Sequence, residues 1–301
     1  MFDLARLRLL RELARRGTMT AVAAASGLTS SAVSQQLATL EREARVALLE
    51  RVGRRVRLTA EGVRLVRHAE TILQAVEAAE RDLAGDEPRG MIEIACFPSF
   101  AKARLLPAAI RARARFPELQ AVIHEMEPAE SVEALREGRC DLAVSFAYTL
   151  VPRPDVPGLV AWPLLEEPIR LALPPAWRDE PDPVDLRRLA DQDWIVGSRQ
   201  ADDRRLAERA CAAAGFTPRM THAVDDYDLE LRMVAAGLGV GFVPELALEL
   251  QGAEPVEVRT PAGPPLHRKI QALTRSALTA SPIVRALLSE LGVRPSATAT
   301  S

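Results

Sequence analysis

The chain has 301 residues, 48% of them hydrophobic, and carries a formal net charge of −2. This length excludes a single small domain and predicts two or three domains, each with a substantial apolar core. The charge is uneven, because residues 1–65 hold 12 arginines against 6 acidic residues. Only this N-terminal part is therefore expected to contact a polyanion such as nucleic acid.

The N-terminal part predicts a helical module. Residues 3–16 form an amphipathic pattern with a leucine-rich face. Residues 20–41 then predict two short helices joined by a turn at Gly27, with Thr29 placed to cap the second helix. The residues expected in the core recur at helical spacing and are Val33, Leu37 and Leu40. This pattern is typical of a helix-turn-helix, whose second helix enters the major groove, although a solvated helix in a small bundle is the alternative.

Candidate DNA contacts follow from this placement. Gln35 is the best candidate for direct readout, because a side-chain amide can bond one base at two points. Residues 48–62 predict a short hairpin, or wing, with adjacent arginines at its tip, which suits phosphate or minor-groove contact. The full candidate set is Thr18, Thr20, Thr29, Ser30, Ser31, Ser34, Gln35, Arg54 and Arg55.

Residues 60–84 predict a long linker helix with an apolar stripe at heptad spacing. Such a stripe must be buried, and the same helix of a second copy is the simplest partner. Packing on the chain's own domain is the alternative. The stripe consists of Leu65, Ala69, Ile72, Val76, Ala79 and Leu83.

Beyond a linker at residues 86–90, strands alternate with helices. The predicted strands lie at 91–97, 119–126, 140–146, 159–165, 168–173, 193–198, 219–224, 238–244 and 269–274. The apolar early strands predict a parallel sheet covered on both faces. The late strand and a helix at 282–291 suggest that the chain returns to its first subdomain.

We therefore expect an α/β sensor domain over residues 91–291, built from two subdomains. The first subdomain covers about 91–164 and 266–291, and the second covers about 165–265. The tail, residues 292–301, is expected to be disordered. The winged helix-turn-helix accounts for residues 1–62 and the linker helix for residues 60–84.

Open α/β sheets bind ligands beyond the C-terminal ends of their strands. Ser99 begins a helix, where free N–H groups favour an anion. Lys102 lies one turn further along and would suit a carboxylate ligand, although a solvated lysine is the alternative. Asp225 lies between a strand and a helix, where it would suit an ammonium group or serve only as a helix cap. The candidate effector set is Ser99, Phe100, Lys102, Ser145, Phe146, Ser198, Arg199, Gln200 and Asp225.

The sequence offers few candidate residues for metal binding, redox chemistry or catalysis. Cys96, Cys140 and Cys211 are scattered, so neither a metal site nor a disulfide scaffold is expected. A cysteine redox sensor remains an alternative, although Cys211 lacks an obvious resolving partner. The histidines are dispersed and no nucleophile-elbow or Walker motif occurs, so we expect no enzyme activity and no cofactor. The sequence shows no signal peptide and no apolar run long enough to span a bilayer, so a cytoplasmic protein without membrane contact is expected.

Residues 18–41 and 48–62 resemble the winged helix-turn-helix of LysR-type transcriptional regulators. The linker helix, CDLAV at 140–144 and GLGVGFVPE at 237–245 extend the resemblance in the same order over nearly the whole chain. The family usually has Leu-Gly where Ala44-Arg45 stand. Glycine would favour a left-handed residue at the end of the recognition helix, so this helix is expected to close in a different way.

This resemblance implies a sensor of the type 2 periplasmic-binding-protein fold, with a small effector held between its subdomains. It also implies a homodimer, often paired into a dimer of dimers, that binds double-stranded DNA; RNA polymerase is a further candidate partner. The expected function is thus a sequence-specific DNA-binding transcriptional regulator controlled by an effector. The alternative is a solute-binding or interaction protein that uses the N-terminal module only for dimerisation.

Overall fold

The computed structural model falls into two compact units. It describes residues 1–52, 55–83, 87–198, 202–249 and 255–293. One unit comprises Met1–Glu87 with Arg136–Arg139, and the other Pro88–Leu135 with Cys140–Ser301. Residues 294–301 of the predicted disordered tail lie outside the described residues. So does part of the predicted linker between the linker helix and the sensor.

The N-terminal unit contains the predicted helix-turn-helix and wing. Its elements are α1 Leu4–Arg16, α2 Met19–Ser26, α3 Ser30–Ala44, β1 Leu49–Val52, β2 Arg55–Leu58 and α4 Ala60–Leu83. Gly27 ends α2 at φ +66°, a left-handed conformation that glycine adopts without strain. Thr29 caps α3, because its hydroxyl accepts the Ala32 N–H at 3.2 Å. The strands β1 and β2 pair in antiparallel register.

The C-terminal end of α3 corrects one expectation. Arg45 adopts the left-handed conformation at φ 56°, so the helix does close in the usual geometry, with arginine in the place of glycine. The Glu41 carboxylate then accepts the N–H groups of Leu48 and Leu49 at 2.9 and 3.0 Å. These bonds attach the first wing strand to α3 and therefore fix the position of the wing relative to the recognition helix.

Helix α4 packs its first half on α1. Val66, Ala69 and Leu73 are buried in the same apolar cluster as the leucines of α1. Gly62 lets the start of α4 lie close to the chain at Leu48, because a Cβ at Gly62 would lie 2.2 Å from the Leu48 carbonyl oxygen. Ala69 therefore belongs to the unit's own core and is not available to a second copy, which corrects the predicted dimer stripe at that position.

The second unit is built from strands and helices in alternation. Its strands are β3 Gly90–Cys96, β4 Leu119–Glu125, β5 Leu142–Tyr148, β6 Leu159–Leu173, β7 Asp193–Val196, β8 Arg219–Ala223, β9 Gly241–Pro244, β10 Glu257–Arg259 and β11 His267–Arg275. Its helices are α5 Pro98–Phe100, α6 Leu106–Arg115, α7 Pro128–Arg136, α8 Asp202–Ala213, α9 Tyr227–Ala235, α10 Glu245–Glu249 and α11 Pro282–Glu290. A π-helical turn, Ala101–Leu105, joins α5 to α6.

The main sheet is mixed rather than wholly parallel. Strand β3 pairs in parallel with β4 and β5, as predicted for the early strands. Strand β11 runs antiparallel to both β5 and β6, and β9 and β10 run antiparallel to β6. A second, two-stranded sheet pairs β7 and β8 in parallel. The return of the chain through β11 therefore inserts an antiparallel strand into the centre of the sheet.

Strand β6 replaces two predicted strands. Residues 159–165 and 168–173 belong to one strand of 15 residues. The acidic pair Glu166-Glu167 suggests a break, but Glu167 is buried and lies opposite Arg268 in the β6–β11 register. The charge is thus compensated across the ladder and the strand continues. The boundary between the two predicted subdomains stays a prediction.

Candidate functional site

The leading end of α3 presents polar side chains to solvent. Ser30, Ser31, Ser34 and Gln35 are all exposed, as is Thr29. The opposite face of the helix is anchored by its apolar residues, which are fully buried. The predicted division of α3 into a core face and a polar face is therefore present in the structure.

Two adjacent glutamines of α3 differ in their contacts. The Gln36 amide oxygen accepts the Arg6 Nε–H of α1 at 2.9 Å. The Gln35 side chain makes no hydrogen bond within the described part of the chain. An exposed amide without an internal partner retains its full hydrogen-bonding capacity for a base edge. Gln35 is thus free to contact a base, whereas Gln36 holds α3 to α1.

The other DNA candidates vary in availability. Thr18 caps α2 by accepting the Ala21 N–H at 3.2 Å, and Thr20 is exposed in the first turn. The Thr29 hydroxyl, already a cap, also lies 3.0 Å from Ser31 Oγ. Arg54 and the side chain of Arg55 lie outside the described residues. The proposed role of the wing arginines therefore stays a prediction.

From Ile72 onward, the described part of the predicted stripe on α4 is only partly covered. Ile72 is 38% exposed, Ala79 is exposed and Val76 is half-buried. Leu65 is half-buried and packs against the unit's core, whereas the side chain of Leu83 lies outside the described residues. Apolar side chains thus remain uncovered along the second half of the helix, which is where a partner helix would be required.

A cavity lies beyond the C-terminal ends of the early parallel strands. The space inside it that a water-sized molecule can reach amounts to about 30 Å³, and the cavity opens to solvent. Its ionisable lining residues are Lys102, Glu127, Asp203, Asp225, Asp226, Asp228 and Arg268. Its other polar and aromatic lining residues are Phe97, Ser99, Phe146 and Tyr227. Most of these side chains follow a strand or begin a helix, which is the position expected for ligands of open α/β sheets.

Arg268 forms the floor of this cavity. Its side chain is only 1% exposed, and its Nε donates to Glu167 Oε1 at 2.8 Å while its Nη2 donates to Ser99 Oγ at 2.9 Å. The guanidinium carbon lies 4.8 and 4.9 Å from the ring centroids of Phe97 and Phe146. Glu167 Oε2 also accepts the Leu246 N–H at 2.7 Å. The arginine is therefore held rigidly by an ion pair, a hydroxyl and two aromatic faces.

Two carboxyl groups of the cavity have raised pKa values. Glu127 is exposed as a whole residue, but its carboxyl is partly desolvated in the cavity, and this desolvation, followed by the charges of Asp203 and Asp225, raises its pKa to about 7. Burial also raises the pKa of Asp203, whose oxygens accept long hydrogen bonds from the Tyr148 and Tyr227 hydroxyls at 3.4 and 3.3 Å. Perturbed carboxyl groups in a cleft are typical of binding sites, because the cleft keeps like charges close together.

Lys102 does not offer a free cation to the cavity. Its ammonium donates to Asp228 Oδ2 at 2.9 Å, and this hydrogen bond raises the pKa of Lys102. Asp225 accepts the Ser198 backbone N–H at 2.7 Å, and Asp226, rather than Asp225, caps α9. The predicted attraction of Lys102 for a carboxylate ligand is therefore weakened by an existing partner.

The cavity brings together only some of the effector residues predicted from sequence. Ser99, Lys102, Phe146 and Asp225 line it. The others that are described do not line it and are Phe100, Ser145 and Ser198. Phe100 and Ser145 are buried, and Ser145 alternates with Phe146 on β5 and so points to the opposite face of the sheet. Arg199 and Gln200 lie outside the described residues.

Sequence reasoning missed Glu127, Asp203 and Arg268. Glu127 follows the second parallel strand, so applying the strand-end rule to β4 as well as to its neighbours would have found it. Asp203 stands in the first turn of α8, where acidic residues are common for reasons of helix electrostatics alone. Arg268 had a weak signal, a single arginine at the start of an apolar strand.

The cysteines are buried and separate. Cys96, Cys140 and Cys211 are all free thiols with at most 1% exposure. Burial raises the pKa of Cys211 to about 12 and that of Cys96 still further above its ordinary value. Thiolate is the reactive form, so these groups are poorly suited to sensing an oxidant. Within the described residues, no group of three or more metal-ligating side chains is assembled.

Comparison with known proteins assigns the two parts of the chain. Residues 4–63 match the model described as "Bacterial regulatory helix-turn-helix protein, lysR family", and residues 85–293 match "LysR substrate binding domain". The uncharacterized HTH-type transcriptional regulator YfeR from Shigella flexneri is 27% identical over 239 residues, which cover 77% of this chain and 74% of that protein. None of the described helices combines the length and apolar character that crossing a bilayer requires.

Solved structures share the fold over the whole chain. A full-length OxyR variant from Pseudomonas aeruginosa matches with a TM-score of 0.78 at 20% identity and covers 100% of both chains. Full-length CbnR in complex with its target DNA matches with a TM-score of 0.63 at 21% identity, over 97% of this chain and 99% of that one. Because the substrate-binding model alone covers more than half of the sequence, the protein belongs to the LysR family and is a DNA-binding transcriptional regulator with an effector-binding domain.

Proposed function

We propose that this regulator reads a specific operator with the polar face of α3, and that a small molecule in the cavity lined by Arg268 controls it. The exposed and internally unbonded amide of Gln35 is the observation that carries the DNA half of the proposal. The cavity at the strand ends supports the effector half, because polar and charged side chains converge there beside the aromatic rings of Phe97 and Phe146.

We further infer that the working form is a homodimer joined through the second half of α4. The exposed residues Ile72 and Ala79 and the half-buried Val76 support this, since two recognition helices can then meet successive turns of one duplex. The solved structure of full-length CbnR in complex with its target DNA, which is similar to this chain in fold, supports the proposed role of the fold in DNA binding. We propose that the protein acts in the cytoplasm, where its DNA lies, and that RNA polymerase is a further partner.

The experiment is a titration of fluorescent duplexes from the intergenic regions beside its own gene, with anisotropy as the readout. Once a preferred site is found, Gln35→Ala is compared with Gln36→Ala on that site and on each single-base variant. Losing a bidentate contact should reduce discrimination at one base pair by roughly 1–3 kcal/mol. Gln36→Ala should weaken binding evenly across the sequences, because its amide holds α3 to α1.

Two results would contradict the proposal. Equal losses on specific and random DNA for Gln35→Ala would show that this residue does not read a base. Binding with no sequence preference at any salt concentration would remove operator recognition itself, because phosphate contacts alone are salt-sensitive but not selective.

A further inference from the structure

The polar face of α3 continues beyond Gln35 to the last turn of the helix. Because a helix has about 3.6 residues per turn, a residue seven positions further along lies on almost the same line of its surface. Arg42 therefore shares the line of Gln35, on the side of α3 opposite its buried apolar residues. The residues on this line recur at steps of four, three and four, are all exposed, and are Ser31, Gln35, Ala38 and Arg42.

Arg42 stands between two glutamates in the sequence, but neither of them neutralises it. The Glu41 carboxylate accepts two backbone N–H groups at the start of the wing, at 2.9 and 3.0 Å. The Glu43 carboxylate forms an ion pair with Arg6 of α1. Among the residues that the structure describes, Arg42 has no acidic partner. The fold thus leaves an uncompensated positive charge on the face that Gln35 presents to solvent.

A hydroxyl of the same helix directs the Arg42 guanidinium. Arg42 Nη2 donates to Thr39 Oγ1 at 2.7 Å, and the Thr39 hydroxyl donates to the Gln35 carbonyl oxygen at 3.0 Å. The arginine side chain therefore points back along α3, toward its leading end. Nε and Nη1 have no acceptor within the described part of the chain. Their N–H groups stay available in the forked arrangement that matches two phosphate oxygens.

The spacing along α3 places Arg42 near the edge of a groove that Gln35 enters. Seven residues of helix span about 10.5 Å, whereas the major groove is about 12 Å wide. A base edge in the middle of the groove thus lies about 6 Å from either row of phosphates. When the leading end of α3 meets base edges, a long side chain two turns behind it lies beside the sugar-phosphate backbone.

We propose that Arg42 binds a backbone phosphate of the DNA duplex and holds α3 in the groove without reading sequence. Phosphate contacts orient a protein on the duplex, whereas contacts with base edges select the sequence. Arg42 and Gln35 thus have separate roles on one face of the helix. This inference rests on the proposed use of that face to bind the operator. The competing role for Arg42 is stabilisation of the C-terminal end of α3 through the helix dipole.

The test is the salt dependence of DNA binding by the full chain, followed by fluorescence anisotropy. The preferred operator duplex and a random duplex of the same length are titrated between about 50 and 200 mM salt. Arg42→Gln should lower the slope of log K against log salt by about 0.9 for each α3 bound, because fewer counterions are released. At the lowest salt this variant should bind both duplexes roughly tenfold more weakly, the effect of losing a charge-assisted hydrogen bond.

Three further variants separate a phosphate contact from total charge and helix stability. Arg8→Gln is the matched control, because Arg8 is an exposed arginine of α1 that also has no acidic partner among the described residues. It should leave the slope nearly unchanged. Arg42→Lys keeps the charge and should keep the slope. Thr39→Val removes the directing hydroxyl and should weaken binding by the parent chain but not by the Arg42→Gln variant. Circular dichroism confirms that each variant is folded.

Each contrary result has a definite meaning. If Arg42→Gln leaves the slope unchanged, Arg42 does not bind a phosphate and only the helix-end role is left. If Arg8→Gln lowers the slope by the same amount, the effect belongs to total charge and the assignment is wrong. A further loss on adding Thr39→Val to Arg42→Gln would overturn the directing role of the hydroxyl. Gln35→Ala on the single-base operator variants reports base reading separately, so failure of the proposed function is distinguishable from failure of this contact.

Discussion

Glu167→Gln removes the counter-ion of Arg268 from the interior of the sensor. The two side chains are only 3% and 1% exposed, and Glu167 Oε1 lies 2.8 and 2.6 Å from Nε and Nη2 of the arginine. Breaking a buried pair on one side costs about 3–5 kcal/mol, because the remaining charge stays in a medium that solvates it poorly. The glutamine oxygen can still accept the Leu246 N–H, so we expect a loss near the lower end, about 3 kcal/mol.

The assay is urea denaturation followed by tryptophan fluorescence. Trp162, Trp177 and Trp194 are the three tryptophans of the chain, and all lie in the second unit, so the signal reports the unfolding of the sensor alone. Asp228→Asn is the matched control, because it breaks the exposed Lys102–Asp228 pair of similar length. Exposed pairs contribute about 1 kcal/mol or less.

A second comparison separates the pair from the packing around it. The double change Glu167→Gln with Arg268→Met should cost clearly less than the sum of the two single changes, since no buried charge remains uncompensated. If Glu167→Gln costs no more than Asp228→Asn, or if the two changes in the double variant simply add, the argument that this pair is a desolvated ion pair is refuted.

Two further outcomes are expected. Arg45→Gly should stabilise the N-terminal unit by about 0.5–1 kcal/mol, measured by circular dichroism, because glycine adopts the left-handed conformation without steric cost; a destabilisation would contradict the φ of 56°. Gly62→Ala should destabilise the same unit by about 1–3 kcal/mol, because its Cβ would meet the Leu48 carbonyl at 2.2 Å, and an unchanged unfolding curve would disprove that contact.

The N-terminal unit was largely predictable because its signals are local. Thr18 and Thr29 accept N–H groups three residues ahead, and Gly27 turns the chain within one residue. Such interactions are readable from short windows of sequence. The assignment of Ala69 failed for the opposite reason: a stripe at heptad spacing does not say which part of it α1 covers.

The sensor was predictable as alternating strands and helices but not in its pairing. Apolar runs located most of the strands within a few residues, yet the position of β11 between β5 and β6 depends on residues more than a hundred positions away in sequence. The two short elements α10 and β10 carry too few residues to show a period and were missed. Strand continuity across Glu167 could not be inferred without knowing that Arg268 lies opposite.

The chemistry of the cavity is the least local property of this chain. Arg268 meets Glu167 and Ser99 across separations of 101 and 169 residues, and Lys102 meets Asp228 across 126. Each pairing removes a cation that the sequence alone would count as available to an anionic ligand. The sequence therefore suggested a carboxylate ligand at Ser99 and Lys102, with a solvated lysine as the alternative, whereas in the structure both cations of the cavity lining already have acidic partners. Whether a binding site favours a cationic or an anionic ligand depends on which of its charged side chains lack a partner of opposite charge. This can be known only when the fold shows which side chains are already paired.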